Sequence, residues 1–73
     1  MLLHEAIAEV LRRNGNRPMW VENIAAEVNR LELYRRKDGQ PLPRKQVVAR
    51  MKHPRYRPLF EHVSPGHYRL RGR

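Results

Sequence analysis

The sequence contains no cysteine, one serine, one aspartate and one phenylalanine. Without cysteine there are no disulfides, no thiol nucleophile and none of the usual structural zinc sites. Ser64 and Asp38 both lie in turn sequences that explain them structurally. No paired-carboxylate motif and no phosphate-cradling glycine loop appears. The chain is therefore not expected to be an enzyme, and no cofactor, metal or small-molecule substrate is implied. Of the four histidines, His62 and His67 can approach each other across a turn. Two imidazoles without cysteine make a weak zinc site. No apolar run reaches the roughly eighteen residues that a membrane span needs. The N-terminal stretch MLLHEAIAEVLRR carries Glu5 and Glu9 inside its apolar pattern, which makes it a poor signal peptide. The expectation is a cytoplasmic chain, nucleoid-associated if bacterial.

Acidic residues are scarce in only one half. Residues 1–34 hold four basic groups against five acidic ones, and residues 35–73 hold twelve against Asp38 and Glu61 alone. The net charge of +9 is thus carried wholly by the second half. Such polarity implies a polyanionic partner at that end. With 73 residues there is room for one domain and one modest core. About fourteen side chains suit that core, so stability is modest for a chain with no staple.

Leu3, Ala6, Ile7, Val10 and Leu11 recur at helical spacing and predict a first helix over 2–13, stopped at Gly15. Arg17-Pro18-Met19-Trp20 predicts a short extended segment. Val21, Ile24, Ala25, Val28 and Leu31 predict a second helix over 21–31, although Trp20 is no capping residue. A polar loop follows, with a turn at Asp38-Gly39. Pro43 opens and Pro54 closes a third helix over 43–52. Val47, Val48 and Met51 fall on one side of it, and Lys45, Gln46, Ala49, Arg50 and His53 on the other.

Residues 59–63 and 67–70 read as strands of a hairpin, with Pro65-Gly66 filling a type II turn. A strict two-residue register would put Glu61 opposite Leu70 and turn Phe60 away from the apolar groups, so a bulge or a longer loop is expected. The tail 71–73 is expected to be disordered. The whole is one domain over 1–73, without internal repeats.

Three helices, a short strand after the first and a C-terminal hairpin make an α+β winged helix-turn-helix. The segments LHEAIAEVL at 3–11, RPMWVENIAAEV at 17–28 and LFEHVSPGHYRL at 59–70 carry a family likeness. Through them the chain resembles the HARE-type helix-turn-helix module of chromatin regulators, restriction-system proteins and the delta subunit of bacterial RNA polymerase. The resemblance implies DNA binding or docking on nucleic-acid machinery, without catalysis. It would make the third helix the recognition helix and residues 64–67 the wing tip. Two departures stand out: the 32–42 connection is long for a helix-turn-helix, and Trp20 precedes the second helix.

On this reading the residues expected at DNA are Arg35, Arg36, Lys37, Arg44, Lys45, Gln46, Arg50, His53, Arg55, Arg57, His67, Arg69 and Arg71. Arg50 can fork onto guanine and Gln46 can read adenine. Equally, the helix can touch phosphate alone. Arg35, Arg36 and Lys37 suit phosphate, or form a solvated loop. His67, Arg69 and Arg71 would line the outer face of the wing. Tyr56, between Arg55 and Arg57, either stacks on a base or packs under the hairpin. The alternative partner is an acidic protein surface, with Trp20, Leu33 and Tyr34 as anchors. A membrane partner is not expected, because the apolar stripe of the third helix is needed inside.

Overall fold

The computed structural model describes residues 1–72. Helix α1 spans Leu3–Arg13, strand β1 Met19–Trp20, helix α2 Val21–Arg30 and helix α3 Arg44–Lys52. A 3-10 turn at Arg57–Leu59 leads into β2 (Phe60–Ser64) and β3 (His67–Leu70). The sheet is antiparallel with the order β1-β3-β2, so the last strand lies in the centre. This is a winged helix, α+β in class.

The apolar stripes read from the sequence all point inward. Leu3, Ala6, Ile7, Val10 and Leu11 of α1 meet Val21, Ile24, Ala25 and Val28 of α2, with Val47 and Met51 of α3. Phe60 and Tyr68 close the core from the sheet. Two narrow stripes need a third element to bury them, and α3 and the hairpin supply it. Glu5 reaches back to accept the Leu2 backbone N–H at 3.0 Å, which satisfies one free donor at the start of α1.

The expected irregularity of the hairpin is a bulge at Val63. Phe60 pairs with Leu70, Glu61 with Arg69 and His62 with Tyr68, and then Ser64 pairs with His67. The extra residue shifts the register by one and exchanges the faces of everything before it. Phe60 therefore turns inward and is buried. His62 shares the inner side with Tyr68, and their rings stack at 4.6 Å. His67 lies on the outer side against Trp20, so the two imidazoles do not converge across the turn. No group of three metal-ligating side chains occurs among the described residues. Gly66 takes φ +75°, as the third position of a type II turn requires.

Trp20 is no cap, yet the start of α2 is not left open. The Val21 N–H donates to the Gly66 carbonyl at 2.9 Å, so the hairpin turn caps the helix in place of a side chain. The tail expectation falls partly on Arg73, outside the described residues. Arg71 is tied down: its N–H donates to the Leu59 carbonyl at 2.9 Å.

Two asparagines fix the remaining segments. The Asn16 Oδ1 accepts the Leu70 N–H at 2.7 Å, and its Nδ2 donates to the Leu70 carbonyl at 3.1 Å. Asn29 treats Leu42 in the same way, at 2.8 and 3.1 Å. Each amide copies the donor and acceptor of a neighbouring strand. The second clamp pins the long connection and drops Leu42, between its two prolines, into the core at 4% exposure.

Asn29→Ala should therefore lower the stability by about 1–3 kcal/mol, since both backbone groups of Leu42 lose their partner. Asn29→Asp should cost a similar amount, because it removes a donor and sets a charge against a carbonyl. Chemical denaturation of the three proteins checks this. A cost no larger than that of an exposed surface change would show that the clamp is idle.

Candidate nucleic-acid interface

The exposed face of α3 is built by burial of the opposite one. Val47 and Met51 sit in the core and Val48 packs against it. Successive residues turn by about 100°, so Lys45, Ala49, Lys52 and His53 are left facing solvent, with Gln46 at the margin. Lys52 was not among the residues expected at DNA. Its signal was in the sequence: it lies seven residues after Lys45, nearly two full turns along the same face.

Arg50 sits at the border of that face. Its guanidinium lies 5.3 Å from the Tyr56 ring centroid, and that of Arg55 lies 5.9 Å away. Tyr56 stacks on His4 of α1 at 4.2 Å with an interplanar angle of 17°. Its ring is thus occupied by the protein, and it packs on α1. His53 adds a tilted contact to Tyr56 at 5.4 Å, and its Nδ1 accepts the Arg55 N–H at 3.1 Å. Arg50, His53 and Arg55 are brought together around one tyrosine.

Beyond the end of α3 a cleft runs toward the wing, lined by Met51, Lys52, Arg57, Phe60, His62 and Arg71 among others. Three cations converge there. Arg71 lies past the end of β3, and its guanidinium donates to the Phe60 carbonyl at 3.3 Å. On the outer sheet face Arg69 pairs with Glu61 at 2.9 Å, which cancels much of its charge. The Nδ1 of His67 faces the Pro65 carbonyl at 3.0 Å and so must carry the proton in that bond.

The loop cations divide. Arg36 is engaged by Asp38 at 3.0 Å and by the Pro41 carbonyl at 3.4 Å, whereas Arg35 and Lys37 are exposed and unpaired. They lie near the C-terminal end of α2, beside Asn29 and Glu32. The wing tip caps the other end of that helix, so the loop and the wing flank α3 rather than meeting. Arg44 opens α3 with a loose contact of 3.8 Å to Glu22.

Pairing explains why one half carries the field. Hydrogen bonds from Arg13 and then Arg12 hold the Glu9 carboxyl below its ordinary pKa, and Arg30 does the same for Glu27. Those three arginines are locally neutralised. Among the described residues Arg35, Lys37, Lys45, Arg50, Lys52, Arg55, Arg57 and Arg71 have no carboxylate within 4 Å. Burial pushes the Tyr68 phenol above its usual pKa, so it stays neutral beneath this surface.

Residues 1–72 match the family model described as the ASXL and restriction endonuclease HTH domain, or HARE-HTH. The chain belongs to the HARE-HTH family. Membership covers all three helices and the whole sheet, and it indicates a DNA-binding helix-turn-helix module rather than a catalytic one. No curated protein and no solved structure is significantly similar to the chain. No helix of this HARE-HTH domain is long and apolar enough to cross a membrane. Of the three residues weighed as protein anchors, Leu33 and Tyr34 are partly buried against the core. Trp20 alone is open, at 49% exposure.

The pairing pattern ranks the cations. Lys45→Ala and Lys52→Ala should each reduce the steepness of the salt dependence of DNA binding by about one phosphate contact. Arg69→Ala should change it less, because Glu61 already neutralises that side chain. Fluorescence anisotropy with one duplex over a range of salt measures all three. An Arg69 effect larger than both lysine effects would overturn the ranking.

Proposed function

We propose that the domain binds double-stranded DNA with the exposed face of α3 in the major groove. One observation carries this reading: α3 presents Lys45 and Lys52, both unpaired, around the small Ala49, while its apolar side is consumed by the core. A small residue between long donors allows close approach to base edges, and the helix cannot offer an apolar face to any other partner. Gln46, at the margin, suits an adenine edge. Arg44 and His53 bracket the helix. Arg35 and Lys37 on one flank, and Arg57, Arg71 and the wing on the other, suit phosphates of the two bordering strands. Such a module would tether a longer chain, or an assembled partner, to DNA in transcription, chromatin or restriction systems.

Arg50 is drawn toward Tyr56 and away from the centre of the face, which favours a phosphate over a base. Arg50→Ala is accordingly expected to weaken binding to all sequences by a similar factor. A loss of about 1–3 kcal/mol confined to sites with one particular base would assign Arg50 to base readout instead.

Counterion release should supply most of the affinity. With about five to seven phosphates neutralised, log K against log salt should fall with a slope near −5. The test is a binding titration with a random-sequence duplex at several salt concentrations. A slope indistinguishable from zero would rule out the proposed interface.

A further inference from the structure

Trp20 is the one large aromatic that the core does not use. It is 49% exposed, although it lies in the sheet, between Met19, which packs against the core, and Val21, which is buried in it. A tryptophan that merely fills an edge is expected to cover most of its surface and to bond its indole N–H. Here about half the surface stays open, and the N–H has no acceptor among the described residues.

The ring is nonetheless rigidly mounted. A methyl group placed on Gly66 would come within 2.9 Å of the Trp20 Cζ3, so the indole rests directly on the turn and only glycine fits beneath it. The His67 ring supports it at 4.1 Å between centroids. The backbone under both is held by the Val21 to Gly66 hydrogen bond. An aromatic plate fixed in this way loses little freedom on binding.

Its position joins it to the interface. Glu22, two residues on, contacts Arg44 at the start of α3. The plate therefore stands at the edge of the recognition helix, on a chain of net charge +9. A polyanion is the complementary occupant, and the group a polyanion can lay on an indole is a nucleobase. Within an intact duplex the faces of the bases are already stacked on one another, which leaves only bases at ends or in unpaired stretches.

We propose that Trp20, backed by Gly66 and His67, is a stacking site for an unpaired nucleobase, so that the domain prefers duplexes with single-stranded ends. The proposal rests on the DNA-binding reading and adds a second point of contact to it. Base stacking on an aromatic side chain is worth roughly a tenfold gain in affinity. His67 supports the plate as a positioning residue.

Trp20 is the only tryptophan, so its intrinsic fluorescence reports this site alone. The experiment titrates the intact domain with a blunt hairpin duplex and with the same hairpin carrying a 5′ or a 3′ overhang. One overhang should quench the emission well beyond the blunt form and bind roughly tenfold more tightly. Trp20→Ala should abolish that preference and leave blunt binding in place. If Trp20→Ala does not fold by circular dichroism, the quenching and affinity comparison on the unaltered protein decides alone. Equal binding and equal emission with all three DNAs would overturn the stacking site and leave the duplex reading standing. A preference that survives Trp20→Ala would overturn the assignment to Trp20. Failure to bind any of the DNAs would overturn both readings.

Discussion

The structure depends on how one asparagine holds the chain in front of the recognition helix. A connection of this length leaves the angle of α3 undetermined by covalent geometry. Asn29 removes that freedom by offering Leu42 the hydrogen bonds of an adjacent strand. With its backbone satisfied, Leu42 can enter the core without stranding polar groups there. Once Leu42 is fixed, Pro43 starts α3 one residue later, and Val47 and Met51 fall into place. The orientation of Lys45, Ala49 and Lys52 follows from that anchoring point. The interface is thus set by a buried contact that no partner would touch.

A similar logic runs through the sheet. With only two residues, β1 cannot stand as an independent strand. Pairing with β3 holds it, Asn16 grips the end of β3, and the turn carbonyl of Gly66 caps α2. In many winged helices the name suggests a projecting loop. Here the wing is folded back on the body, and its tip is occupied in completing a helix. What it presents outward is a flat surface around Trp20 and the Arg69–Glu61 pair.

Much of this was legible from residues alone, and the line between legible and hidden is physical. The three helices were readable because apolar spacing at three and four residues is a local signal, as Leu3 to Leu11 and Val21 to Val28 illustrate. The need for a bulge was readable because no regular register buries both Phe60 and Leu70. Its site at Val63 was not, and that site decides which face His62 occupies. Asn29 was opaque because its partner lies thirteen residues on, and its type says only that it can accept and donate. Arg50 was placed on the reading face by periodicity, yet an aromatic ring from outside the helix draws it aside. Lys52 was overlooked although the same periodicity contains it. Distant contacts outweigh local pattern at the places where α3 meets its neighbours.

The sheet order carries a consequence for synthesis. The strand that both others need, β3, is the last element to leave the ribosome. A nascent chain exposed as far as Ser64 has every helix and two strands, and those two strands have nothing to pair with. Neither the cap on α2 nor the clamp from Asn16 exists at that stage, since both are completed by residues 66–70. The domain therefore closes late and in one step, after its own final residues have emerged. Its basic surface is displayed in defined geometry only on a finished chain.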